Sequence, residues 1–331
     1  MDEASKSAQV ANILLNVSEF ESIDEATESL VSMSQAYQDL EKIDIVDKLN
    51  NIGNSFAIST DGLSVALQKS ASALTTAGND IDEAIALITA GNAVLQDPES
   101  VGAGMRTISL RLTGTKAAKE ELEELGEETD DVIETTSKLR ETILSATKAA
   151  TKDGKGFDIL DENGNYKSTY EIMLGLSELY DEIVAKDKEL GTNNLNLLLE
   201  TIAGKNRSNV AASILQNSKL LADVFKSSSQ DSAGSAQQEL DKYLDSIEGK
   251  ITRLTNRVQE FWSAAINSEF IKDAIDFLSE VVQLGTNIIE TFGTLPVVLG
   301  SAAGIFSIFN KKESGGGRVR KIVFNKLSLL L

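Results

Sequence analysis

The chain has 331 residues and a formal net charge of −20, from 51 Asp and Glu against 31 Lys and Arg, and it contains neither His nor Cys. Those absences exclude Cys nucleophiles, Ser-His triads, zinc fingers, iron–sulfur sites and disulfides, and leave an enzyme only carboxylate, Lys or Mg²⁺ chemistry. Two Pro, a 5% aromatic share and many Ala, Leu, Glu, Lys, Ser and Ile residues favour helix over sheet, in two domains or one domain with a helical extension.

The first 20 residues start acidic, carry no signal-peptide pattern and read as an amphipathic helix. Ser22 and Glu25 form a capping box, behind which Ala26, Leu30, Met33 and Tyr37 lie on one helical face. Ile45, Leu49 and Ile52 predict another short helix, stopped by Gly53. Leu63, Ala66, Leu67, Ser70, Ala71 and Leu74 then share a stripe, and Ile81, Ala84, Ile85 and Ile88 repeat it after Gly78 and Asn79. The two stripes read as a helical hairpin, its helices capped by Thr60 or Asp61 and by Asn79. Asp97 caps a third helix with Pro98 at its first position, Val101, Met105, Ile108 and Leu112 on its face, and Gly114 at its end.

From Lys119 to Glu134 the chain is almost wholly acidic and reads as a solvated helix or linker. Phe157, Ile159 and Tyr166 flank the turn Asp161–Glu162–Asn163–Gly164, which predicts a small β-hairpin near 157–167. Asp161, Asn163 and Asn165 share the spacing of calcium ligands, but Tyr166 stands where a sharp-turn Gly is needed and Ile172 where the bidentate Glu belongs. Ser168 and Glu171 form a second capping box, ahead of a helical face of Ile172, Met173, Leu176, Tyr180 and Ile183. Gly204–Lys205 superficially matches the end of a phosphate loop, yet Leu199 replaces the first Gly and Asn206 follows the Lys. Lys205 and Arg207 are read instead as a helix C-terminus and turn.

Leu240, Leu244, Ile247, Ile251, Leu254, Val258 and Phe261 alternate steps of four and three, a heptad seam predicting a coiled-coil or oligomer interface; one face of an ordinary bundle is the competing reading. The rhythm resumes at Phe270 and runs to Ile288. Residues 291–310 carry no charge, and Leu295, Val297, Val298, Leu299, Ile305, Phe306, Ile308 and Phe309 make them long enough to span a bilayer as a helix. A buried or interfacial helix fits the same pattern. Six cations against Glu313 give residues 311–331 a local net charge of +5, so the preceding 310 residues hold −25, which opposes specific nucleic-acid binding.

Residues 46–114, VDKLNN through SLRLTG, resemble the core region of phage tail tape measure proteins, and FDILDENGNYKSTYEIM and LLETIAGKNRSNVAASILQN extend the resemblance in the same order. It covers most of residues 10–265. The resemblance implies a protein that threads the tail lumen, templates tail tube assembly, sets tail length and helps DNA cross the host envelope. It also implies oligomerisation, contacts with tail tube and tail-tip proteins, cover by tail assembly chaperones and contact with the host membrane. Family members usually continue past the apolar segment into long helical repeats, so a truncated copy or fragment is expected.

The expected architecture is all-α: a helical hairpin region (1–118), an acidic helix or linker (119–153), a β-hairpin with a helical bundle (154–232), a long heptad helix (233–290), an apolar transmembrane helix (291–310) and a basic tail (311–331). No catalytic residue, cofactor or metal site is expected. The expected function is structural, in the virion tail after assembly in the bacterial cytoplasm, with insertion in the host membrane during infection. A membrane-associated helical toxin or pore-forming protein is the alternative.

Overall fold

Thirteen α-helices and one 3₁₀ turn, with no strand, form the regular structure of the described residues. The computed structural model describes residues 3–245, with side chains from 6 to 243. The chain divides into two units after Leu240, and nearly all described residues belong to the first.

Three helices open the chain: α1 (Glu3–Asn16), α2 (Ile23–Ala36) and α3 (Lys42–Ser55). Ser22 caps α2 by accepting the Glu25 N–H at 3.3 Å, so the orphan donors of the first turn are partly satisfied. Ala11, Leu14, Val17, Ala26, Leu30 and Val46 bury one another in a small core of their own. On α3, Ile45, Leu49 and Ile52 face the main core instead. Gly53 does not stop α3; it lies within the helix where the Thr60 side chain and backbone approach, leaving no room for a Cβ.

The centre of the molecule is α4 (Thr60–Thr76), α5 (Ile81–Leu95) and α6 (Pro98–Thr113). The predicted stripes are there, and Leu63, Leu67, Leu74, Ile85, Ile88, Met105 and Ile108 are all fully buried. Residues Ala84 to Ala90 are buried without interruption, so α5 is enclosed on all sides, as a helix apolar around its circumference must be. Close approach of α4 and α6 depends on Gly102, where a Cβ would stand 2.6 Å from the Ala66 carbonyl oxygen. Asp97, Pro98 and Gly114 act as the sequence predicts. The other two caps differ: Ser59 caps α4, and Asp80 caps α5 in a reciprocal box with Glu83. Asn79 is buried and serves a distant partner, accepting the Tyr170 N–H at 2.8 Å.

Around this centre lie α7 (Lys116–Glu124), α8 (Thr136–Thr147) with a 3₁₀ turn at Lys148–Ala150, α9 (Thr169–Glu178), α10 (Tyr180–Leu190), α11 (Asn194–Leu215), α12 (Ser218–Gln230) and α13 (Ser235–Asp245). α11 packs on α5 and α6, and α12 on α5 and α3. The single helical face expected over Ile172–Ile183 is shared by α9 and α10, which meet at Leu179.

The expected β-hairpin at 157–167 is not formed. The turn is present, with the Gly164 N–H donating to Asp161 O at 3.1 Å, but only one antiparallel bridge, Leu160 to Tyr166, joins its arms. Physically, the arms are too short to build a ladder, and their apolar residues are drawn apart: Ile159 enters the main core while Tyr166 is 40% exposed. Two backbone hydrogen bonds, Asp161 N–H to Asn165 O at 2.8 Å and Lys167 N–H to Ile159 O at 3.0 Å, hold the arms with side-chain help, Arg140 pairing with Asp158 and Lys167 donating to the Asp158 carbonyl at 2.8 Å.

Candidate functional site

On α3 lies a socket for the first turn of α13. Asp47 and Asn50 lie one helical turn apart on α3, so both side chains reach the same neighbour. The Asp47 carboxylate accepts the N–H groups of Gly234 at 2.7 Å and Ala236 at 2.9 Å, acting as a long-range N-cap for α13. The Ser235 hydroxyl donates to Asn50 Oδ1 at 2.5 Å. Beside them, Lys48 bridges Asp82 of α5 at 2.8 Å and the Ser228 carbonyl at 3.1 Å, while Asn51 donates to Ser227 O at 3.1 Å. Ala236 is fully buried and Leu240 packs against the cluster of Leu14, Leu30 and Val46. Polar groups thus fix where α13 starts, and apolar ones hold its first turns.

A second polar assembly surrounds Arg111 on α6. Its guanidinium, 1% exposed, donates to Asp131 Oδ1 at 2.7 Å, to Glu128 O at 2.8 Å and to Glu200 O at 3.3 Å. It lies against Gly204, whose φ of 69° and ψ of 171° break α11. Lys205 and Arg207 therefore open the second half of α11; the expected helix end at this point is a kink within a longer helix. Arg207 binds Glu127 at 2.6 Å and Lys205 faces Glu128 at 3.7 Å. The acidic stretch is consequently not a free linker: Leu122 and Val132 are buried against Ala73 and Leu110, and its carboxylates meet these cations.

A third assembly joins the starts of α5 and α9. The Ser168 hydroxyl accepts the Glu171 N–H in its own capping box and donates to Glu83 Oε1 at 3.1 Å, so one serine links the two capping boxes. Burial, followed by the nearby Asp80 carboxylate, pushes Glu83 up to about 7. Asp161, by contrast, spends its carboxylate oxygens on the N–H groups of Asn163 and Asn165, both at 2.8 Å, and on the Asn165 amide at 3.1 Å. That loop is closed by its own donors. No group of three or more carboxylates suited to a metal is found among the described residues.

The contacts at these sites position helices. The model of a family described as phage-related minor tail protein matches residues 1–195, which cover every helix from α1 to α10. The chain belongs to that family. It is a phage tail protein, and the family match takes in α1 to α10 but not α11 to α13 of the helical core. No solved structure matches it.

Of the residues predicted to form sites in this minor tail protein, Leu240 and Leu244 lie on α13, and Leu240 packs within the chain's own N-terminal cluster. The rest of the seam, Ile247 to Phe261, and the apolar residues Leu295 to Phe309 lie outside the described residues. Among the described residues no helix is long and apolar enough to cross a membrane. Sequence reasoning missed Asp47, Asn50, Arg111 and the Ser168–Glu83 link. Asp47 and Asn50 left one faint signal, a polar pair at helical spacing flanked by the buried Val46 and Leu49.

Proposed function

We propose that this phage tail protein is a tape measure, a non-catalytic component that templates the tail tube and sets its length. The observation that carries the reading is the family match over residues 1–195, which takes in the whole of 46–114 where the tape-measure resemblance is densest. In this reading residues 1–232 form a folded end piece with Leu240 packed on it, and the heptad pattern from Leu244 to Phe261 begins a coiled-coil shaft through which copies of the chain associate. Its partners are further copies, tail tube and tail-tip proteins and tail assembly chaperones. The apolar 291–310 segment enters the host membrane when the tail delivers DNA. A helix advances about 1.5 Å per residue, so a helical shaft converts residue count into length linearly.

The test is to insert or delete whole heptads within 247–261 in a phage carrying the gene and to measure tails by electron microscopy. Four added heptads, as helix, lengthen the tail by about 42 Å. Tails of unchanged length contradict the ruler reading.

A further inference from the structure

The break in α11 and the acidic segment before α8 meet at Arg111, and the charges there are matched in a particular order. Interrupting a helix creates a partly negative C-terminal end beside a partly positive N-terminal end. The Arg111 guanidinium lies at the first, taking the Glu200 carbonyl. Glu127 and Glu128 lie beside the second, on Arg207 and Lys205. Gly204 makes the arrangement sterically available, since a Cβ there would stand 2.6 Å from Arg111 Nη2 and its positive φ disfavours side chains.

We propose that residues 126–134 are an ion-gated latch that clasps the broken helix to α6. Asp131, Glu127 and Glu128 hold it shut on Arg111, Arg207 and Lys205. Val132, whose burial seats it, and Ile133, partly buried against the main core, are its apolar residues; Glu128, Thr129 and Glu134 are only partly covered or exposed. Four ion pairs, the fourth being Lys119–Glu134 at 2.8 Å, therefore supplement the buried Val132 and the partly buried Ile133 in holding it.

Such a closure responds to ionic strength where the core does not. Screening length falls from about 10 Å at 0.1 M salt to about 3 Å at 1 M. The Lys205–Glu128 pair, 66% and 35% exposed, is open to it, and so is Asp131 at 37%; Arg207–Glu127, at 25% and 13%, is more sheltered. The latch thus loosens with salt in steps, the outer pairs first. Its opening uncovers a cluster of three cations in a strongly acidic protein.

The test uses the full chain and hydrogen exchange read by mass spectrometry on peptides covering 125–135, 205–215 and, as the internal reference, 84–95. The variant is Glu127→Gln with Asp131→Asn, which keeps shape and removes charge. At low salt it should lose about tenfold in protection over 125–135, the scale of one hydrogen bond to a charged group, with a smaller loss over 205–215. Protection over 84–95 should change by less than about twofold, since that segment responds to global stability. Wild-type protein moved to 1 M NaCl should approach the variant over 125–135. Unchanged protection over 125–135, or a loss shared equally with 84–95, overturns the latch. Because thermal unfolding is followed on the same samples, a variant that simply fails to fold is recognised; Asp131→Asn alone is then the milder probe, with the same segment-selective loss expected.

Discussion

The α4–α6 centre and the 126–134 segment lie side by side on α6 yet are held by different physics. In the first, Leu63, Leu67, Ile85, Ile88, Met105 and Ile108 are fully buried, and Gly102 lets two backbones touch. In the second, Val132 is buried, Ile133 is half-buried, and most of the remaining contacts run from cations to carboxylates and to the Glu128 carbonyl. Burial is non-directional and accumulates over many contacts, whereas ion pairs depend on a few atoms and on the solvent. The comparison predicts a hierarchy in which the centre unfolds with the whole molecule and the acidic segment opens ahead of it.

The largest expected effect comes from opening a cavity in the centre. Leu67→Ala should cost about 2–5 kcal/mol, read as a shift of the urea midpoint, because the enclosed site cannot collapse around the lost methyl groups. A cost under about 1 kcal/mol would mean that the centre is less tightly packed than its burial indicates.

Arg111→Met comes next, at about 1–3 kcal/mol. It leaves the Glu128 and Glu200 carbonyls without their guanidinium donor, while the partly exposed Asp131 regains water, which keeps the cost below that of a fully buried broken pair. A loss equal to that of Leu67→Ala would erase the distinction between the two regions.

Asp47→Ala removes the shared cap of Gly234 and Ala236 and should cost about 0.5–2 kcal/mol. The loss should concentrate at the start of α13, measured as faster exchange over 234–240 with 84–95 little changed. Uniform loss across both peptides would show that the socket is part of the main core.

The subtlest effect is on pH. Glu83 is raised to about 7 in the folded protein, facing Asp80 on its own helix and Ser168 and Glu171 on α9, with Tyr170 and Tyr37 near. The folded state therefore holds the Glu83 proton more tightly than the unfolded state, whose carboxyl titrates near 4.5. Its contribution is full below pH 4.5 and is lost as pH rises through about 7. Wild-type stability should thus fall between pH 5 and 7.5 more steeply than that of Glu83→Gln. Parallel profiles for the two proteins would remove Glu83 from the account.

The same contrast explains what the sequence made legible. Apolar periodicity located α2, α4, α5 and α6 because burial leaves a repeat in the chain, and Asp97, Pro98 and Gly114 marked a helix by local chemistry. Long-range polar contacts leave no such repeat. Arg111 and Asp131 lie 20 residues apart, and Asp47 and Ala236 lie 189 apart, so neither pairing has a local signature. Asn79 looked like a cap by composition, but Asp80, one position later, has its Glu three residues on and forms the reciprocal box. The hairpin failed for a similar reason: a good turn sequence at 161–164 specifies the turn, and strands need partners beyond it.

A tape measure acts by being built into the tail. The most direct measurement deletes its gene from a phage that carries it, supplies the chain in trans, and counts and measures tails in electron micrographs. Particles without tails of defined length are expected in the deletion, with uniform tails restored by the chain. Uniform, normal-length tails in its absence would contradict the tape-measure reading.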